Sequence, residues 1–319
     1  MNAPTRGRAA GRVCPADYWY GPAALARPAD FEAEALYVAG GLYGNLQALR
    51  AVSALAAAEP GARLALNGDH HWFDADPAWC AAVEEEARGH LRLRGNVETE
   101  IARGVTPETG CGCAYPDDVD ETVVARSNAI IARLAEVVAG DAATRRALAA
   151  LPMHLVAQVG PARVAIVHGD ADTLAGWRFG RAALDDPHEE PWRARARAES
   201  RIDVFASTHT GAPALRVFGG GACAWAVANN GAAGLPNAAG GRFGIVTRVA
   251  VSPSRVPPLY GARVGGVFVE ALRLDYDHAA FLDAFDACWP SASPAALAYR
   301  RRIVAGPDGT LERAAPARA

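Results

Sequence analysis

The sequence predicts an α/β domain in which two sheets pack together with helices outside. Continuous apolar runs of four to six residues recur along the chain, the pattern of strands buried on both faces. Helical segments alternate with these runs in the first half, whereas the second half is mostly strands. No internal repeat or low-complexity linker divides the 319 residues. They read as one domain, 34–304, with an extension at 1–33 and a tail at 305–319.

Pro15, Pro22 and Pro28 break any helix in the extension. It is expected to be loosely ordered or to pack on the domain surface through Tyr18-Trp19-Tyr20. LYVAGG reads as the first strand of the domain, and Asn45 then opens the helical NLQALRAVSALAAA. LALNGD is the next strand, followed by PAWCAAVEEEA with Pro77 in a first helical turn. LRLRGN follows, and DETVVARSNAIIARLAEVV is a longer amphipathic helix in a middle insertion. VAIVHGD, VFASTHTG, ALRVFG, CAWAVAN, FGIVTRVAV and VFVEALRLDY supply the later strands, and the closing GPDGTLERAAPARA reads as a frayed tail.

Composition excludes several function classes. A formal charge of -3 gives no electrostatic footprint for nucleic acid or an acidic membrane. The basic residues are all arginine, which reflects composition bias rather than function. No stretch has the roughly 18 apolar residues of a membrane span, and the N-terminus lacks the apolar centre of a secretory signal. The six cysteines are too sparse for a disulfide-stapled secreted domain, so a cytoplasmic, reduced setting is expected. Cys111 and Cys113 in TGCGCAYPDD form a C-x-C without a second pair. They read as structural cysteines in a surface loop, with soft ligation or a redox pair as the alternative.

Five apolar runs stop at a polar residue beside glycine: at Asp69, at Asn96, at His168 with Asp170, at His209, and at Asn230. Ligand sites of open α/β sheets assemble at such strand ends. One carboxylate, one amide oxygen and two imidazoles from Asp69, Asn96, His168 and His209 suit a divalent transition metal such as Mn, Fe or Zn. The competing reading of each residue alone is a loop cap or a partner for a buried backbone group.

The order and wording of these motifs resemble the calcineurin-like metallophosphoesterases, whose signatures are D-x-H-G-N, G-D, G-N-H-[DE], H-G, and G-H-T-H followed by N-x-G-S. Here they read Gly41-Leu42-Tyr43-Gly44-Asn45, Gly68-Asp69, Gly95-Asn96-Val97-Glu98, His168-Gly169, Thr208-His209-Thr210-Gly211 and Asn230-Gly231-Ala232. The match spans roughly residues 36–237, and GLPN resembles a G-x-P-R that follows in the bacterial branch. The resemblance implies a four-layer α/β/β/α sandwich and a metal-dependent hydrolase of a small phosphorylated substrate. It also implies that Asp69, Asn96, His168 and His209 hold one metal.

The other metal of the family pair would take ligands from positions 41, 43 and 211, which here are Gly41, Tyr43 and Gly211. All three replaced ligands belong to one metal site of the pair, so a mononuclear site is expected and a second ion is doubtful. The family's proton-donating histidine is Val97. Another acid must therefore serve, or the substrate must leave easily. His70, His71 and Asp170 are the substitute acids by proximity in sequence, while Tyr43 and Glu98 occupy family positions close around the metals. Asn96, Asn230 and Tyr43 are expected to face the phosphate. His70 and His71 read equally as a packing pair beside Trp72-Phe73, and Asp170 as an orienting partner of His168.

The resemblance leaves the specific substrate, the metal and the oligomeric state open. The main alternative is a pseudoenzyme that keeps the fold as a binding module. A dinucleotide-binding turn in AGGLYG is weaker: the G-x-G-x-x-G fingerprint would need glycine at Ala39.

Overall fold

In the computed structural model of the protein, residues 9–315 are described. The chain begins with β1 (Phe31–Ala33), β2 (Ala35–Ala39), α1 (Leu46–Ala57), β3 (Ala62–Asn67), α2 (Pro77–Ala87) and β4 (Leu91–Leu93). A helical stretch follows: α3 (Asn96–Arg103), α4 (Glu121–Val138) and α5 (Ala142–Ala149). The next segment is β5 (His154–Val159), β6 (Ala162–Val167), α6 (Arg181–Asp185), α7 (Glu190–Ser200), β7 (Val204–Ser207), β8 (Ala214–Phe218) and β9 (Trp225–Asn229). The last comprises β10 (Gly244–Ala250), β11 (Tyr260–Val264), β12 (Val267–Leu274), α8 (His278–Cys288) and α9 (Pro294–Ala305).

The strands form two six-stranded mixed sheets, ordered β1-β5-β6-β7-β9-β8 and β11-β12-β10-β2-β3-β4. In one sheet β6, β7 and β9 run parallel, and in the other β2, β3 and β4 do. Leu36, Val38 and Val249 of one sheet meet Val164, Ile166 and Val204 of the other in a shared apolar layer. Because both faces of these strands are covered, their sequences are apolar runs rather than alternations.

Helices cover the outer faces. Ala48, Leu49 and Val52 of α1 and Val83 of α2 pack on Tyr37, Leu64 and Val246. Leu184 of α6 and Trp192 and Ala196 of α7 pack on Val156, Phe205 and Val227. The architecture is therefore the four-layer α/β/β/α sandwich. Asn45 and Asp76 cap α1 and α2 by accepting from the Ala48 and Trp79 N–H groups at 2.9 Å, as expected of helix openings.

Both flanking segments pack on the rest of the chain. Tyr18 and Leu25 are fully buried, and β1 pairs in parallel with β5, so residue 33 ends a strand rather than preceding the sheets. Prolines prevent an α-helix here but leave short 3₁₀ turns and an edge strand available. At the other end, the Ala314 carbonyl accepts from the Leu215 N–H at 2.8 Å and from Arg216 at 3.2 Å, tying residues 305–315 to β8. Residues 1–8 and 316–319 lie outside the described part.

Candidate metal centre

The carboxyl ends of the parallel strands of both sheets face one crevice. Asp69 follows β3 and Asn96 follows β4 in one sheet, while His168 follows β6 and His209 follows β7 in the other. His168 Nε2 lies 3.3 Å from Asp69 Oδ1, 3.2 Å from Asn96 Oδ1 and 3.1 Å from His209 Nδ1. All four residues are buried, and ligand atoms of Asp69, His168 and His209 lie within 4.8 Å of one another.

Hydrogen bonds to main-chain carbonyls fix what these side chains present. His168 Nδ1 faces the Asn67 carbonyl at 2.9 Å, so that nitrogen carries the proton and Nε2 keeps a bare lone pair. His209 Nε2 faces the Cys113 carbonyl at 3.0 Å, which leaves Nδ1 bare. The Asn96 amide nitrogen donates to the Cys111 carbonyl at 3.0 Å, turning its oxygen inward. Four lone pairs thus converge without a proton between them when both imidazoles are neutral, an arrangement that calls for a cation. Ligands about 2.0–2.2 Å from a zinc-like ion lie about 3.0–3.5 Å apart around it, so the observed spacings fit. Carbonyls orienting metal-binding histidines are the usual outer support of such sites.

Electrostatics agree with room for one positive charge. Burial opposes charging His168, but the Asp69 carboxylate outweighs it and raises the imidazole above its usual range. Burial and the neighbouring His168 lower His209 to about 4. Asp69 itself is lowered because His168 overcomes the burial cost.

The local backbone is strained where the site needs it. Of five non-glycine residues with positive φ among the described residues, Tyr43 (55°), Asp69 (51°) and His209 (25°) belong to this crevice. Glu98 holds the Asp69 turn. Its Oε2 accepts from the Asp69 and Gly95 N–H groups at 2.9 and 2.7 Å, and its Oε1 from those of His70 and His71 at 2.8 and 3.4 Å. Gly95 permits the close approach, since a β-carbon there would lie 2.3 Å from Asp69 Oδ1.

The structure does not bring the substitute acids to the crevice. His71 is pinned by Asp74 and Glu84 at 2.6 and 2.9 Å. Buried His70 lies behind the turn, with Nδ1 3.6 Å from Glu98 Oε1, and burial lowers its pKa well below normal. The Asp170 carboxylate accepts from the main-chain N–H groups of Asp172, Thr173 and Arg178 at 2.9, 3.1 and 3.3 Å, so it shapes its own loop and makes no bond to His168. Glu98 is likewise turned inward to backbone. Asn230 donates to the Gly40 and Ile245 carbonyls at 3.0 and 2.9 Å, tying two loops together rather than lining the cavity. Asn96 and Tyr43 do line it.

Cys111 and Cys113 are buried rather than on a surface loop, and both thiols are free. Their carbonyls orient Asn96 and His209, and Cys113 O also accepts from Trp177 Nε1 at 2.9 Å. The cavity over the cluster has a volume of about 100 Å³ and an aromatic rim of Tyr43, Trp72, Tyr115, Trp177 and Tyr299. Arg302 from the last turn of α9 completes it. Tyr299 and Arg302 lie outside every strand-end motif. Their one sequence signal is the i, i+3 spacing that puts them on one face of a helix opened by Ser293-Pro294.

A second buried group, His71, Asp74 and Cys80, brings metal-binding atoms within 4.8 Å of one another. His71 there is already paired with two carboxylates, and its pKa is raised because Asp74 and Cys80 outweigh burial. That is the signature of an internal ion-pair network.

No protein-family profile matches the chain, and no curated protein does. Among solved structures it is similar to a hypothetical protein from Pyrococcus horikoshii OT3, with 16% identity, a TM-score of 0.56, and coverage of 86% of this chain and 100% of that one. It is also similar to a metallophosphoesterase from Sphaerobacter thermophilus, with 16% identity, a TM-score of 0.54 and the same coverage, 86% and 100%. The two-sheet topology and these whole-length likenesses agree: the chain has the fold of the metallophosphoesterases.

Proposed function

We propose that the chain is a metal-dependent phosphoesterase acting on a small phosphomonoester or phosphodiester through a single divalent ion, Mn, Fe or Zn, held by Asp69, Asn96, His168 and His209. The observation that carries this reading is the convergence of two bare imidazole nitrogens, a carboxylate oxygen and an amide oxygen, each turned inward by a partner behind it. The metallophosphoesterase among the solved structures of like fold supports the reaction class.

A bound ion would polarise a phosphoryl oxygen and lower the pKa of a water molecule. The chain supplies the rest. Asn67 and Cys113 hold His168 and His209 in the tautomers that leave Nε2 and Nδ1 free. The cavity of about 100 Å³ admits a phosphoryl group but not a whole nucleotide, and its aromatic rim suits an apolar or aryl ester group lying outward. Val97 at the cavity wall carries no proton to give, and His70, His71 and Asp170 are engaged elsewhere. The Tyr43 hydroxyl faces the cavity and keeps its proton, because burial and Asp69 raise its pKa well above normal. It can donate a hydrogen bond but is a weak acid. The reading therefore favours substrates with good leaving groups, such as aryl phosphates.

The test combines elemental analysis of untagged protein, purified without chelator, with hydrolysis of p-nitrophenyl and bis(p-nitrophenyl) phosphate. About one transition-metal ion per chain, lost in His209→Ala together with activity, is expected. An absence of bound metal after incubation with manganese, iron or zinc would leave the pseudoenzyme, which Val97 and the replaced ligands at 41, 43 and 211 favour.

A further inference from the structure

Two side chains converge where the replaced ligand positions lie. Gly41 carries no side chain, and the ring of Tyr43 takes the adjoining space: a β-carbon at Gly41 would meet Tyr43 Cε2 at 3.0 Å and its hydroxyl at 3.2 Å. Gly211, at φ +64°, is bare as well, and a β-carbon there would lie 3.4 Å from Arg302 Nη1 and 3.9 Å from the Tyr43 hydroxyl. The phenol and the guanidinium thus meet around Gly211.

Arg302 is held from behind. Its Nε donates to the Pro236 carbonyl at 3.1 Å and its Nη2 to the Gly211 carbonyl at 3.0 Å. Both partners are neutral, no carboxylate pairs with the guanidinium among the described residues, and Nη1 is left facing the cavity. The other arginines that pair with buried carboxylates, such as Arg248 with Glu270 at 2.7 Å, show how this chain normally satisfies a guanidinium. The Tyr43 hydroxyl has no protein partner among the described residues and also opens on the cavity. A cation fixed by two carbonyls, with donors still to spare beside a neutral phenol, is built to receive an anionic oxygen.

We propose that Arg302 Nη1 and the Tyr43 hydroxyl form an oxyanion subsite that binds a phosphoryl oxygen of the substrate beside Asp69. This rests on the phosphoesterase reading and deepens it: a protein-borne cation serves the half of the site whose metal-ligand positions are replaced. Gly211 is part of the device, because its φ of +64° is a backbone conformation that glycine adopts freely and a residue with a side chain adopts only under strain.

Titration calorimetry of inorganic phosphate into metal-loaded protein tests this, with metal content and Tm measured on every variant. Arg302→Gln is expected to keep the metal and to weaken phosphate by about tenfold or more, the effect of losing a charge-assisted hydrogen bond. Arg302→Lys is expected to recover part of the affinity, and Tyr43→Phe, which keeps the ring over Gly41, to lose a smaller part. If Arg302→Gln melts early, the comparison of Arg302→Lys and Tyr43→Phe with wild type decides. Phosphate affinity indifferent to these substitutions, or wild-type protein that ignores millimolar phosphate, overturns the subsite. Parallel hydrolysis of bis(p-nitrophenyl) phosphate keeps the two readings apart. Hydrolysis with Arg302-independent phosphate binding removes the subsite and leaves the esterase. Arg302-dependent binding without hydrolysis keeps the subsite and removes the esterase.

Discussion

At the scale of single residues, the site depends on groups that never touch a ligand. Glu98 is the sharpest case, a fully buried carboxylate whose two oxygens accept four main-chain N–H groups from the Asp69 turn and from its own helix start. Burial and the nearby Asp69 raise its pKa, so the backbone donors are what make a carboxylate tolerable there. Glu98→Gln keeps the shape but turns one acceptor into a donor facing N–H groups. Each orphaned N–H costs on the order of 1–3 kcal/mol. The expected outcome is a lower denaturation midpoint together with weaker metal retention on dialysis, both read against wild type. Unchanged retention in a folded variant would mean that the turn does not need this anchor. The four expected metal ligands were legible because strand-end chemistry is local: an apolar run, a glycine and a polar residue are adjacent in sequence. The role of Glu98 was not legible, because its partners are backbone groups, which every residue has.

At the scale of elements, β10 shows how far burial departs from polarity. All seven of its residues are buried, yet Arg248 sits in the middle. Its guanidinium bonds Glu59 and reaches Glu270 of β12 at 2.7 Å, joining a helix end to the sheet. Arg248→Met leaves buried Glu270 without its cationic partner, a change expected to cost about 3–5 kcal/mol, whereas Arg248→Met with Glu270→Leu should recover most of it. Chemical denaturation of the two variants checks this. The pH dependence has a definite sign. Hydrogen bonding to Arg248 holds the Glu59 pKa below normal against the cost of burial, so its contribution is present above about pH 4.3 and is lost as pH falls through the lower folded value. The acid limb of the wild-type stability curve should therefore be steeper than that of Arg248→Met. The strand itself was legible in FGIVTRVAV, and the helices α8 and α9 were not assigned. As a result Tyr299 and Arg302, which close the cavity from outside the motif-bearing region, could not be linked to it.

At the scale of the whole molecule, the candidate ligands join the two sheets. Asp69 and Asn96 come from the β3 and β4 ends, His168 and His209 from the β6 and β7 ends, and these strands lie in different sheets. Protein groups already link these strand ends: the Asn67 amide donates to the Val167 and Ala206 carbonyls at 2.8 and 3.3 Å, and His168 Nδ1 donates to the Asn67 carbonyl at 2.9 Å. An ion shared by all four ligands would bind the folded sandwich and not the unfolded chain, so it must stabilise the whole molecule by mass action. At a free metal concentration one hundred times Kd this amounts to about 2.7 kcal/mol. For a chain of this size that is roughly 4 °C in Tm. Protein dialysed against chelator, with metal loss verified by elemental analysis, is expected to melt lower by that amount and to recover when the ion is restored. His209→Ala should start near the chelated value and respond little to either treatment. A wild-type Tm that ignores a verified loss of metal would show that the four ligands do not clamp the two sheets through a shared ion.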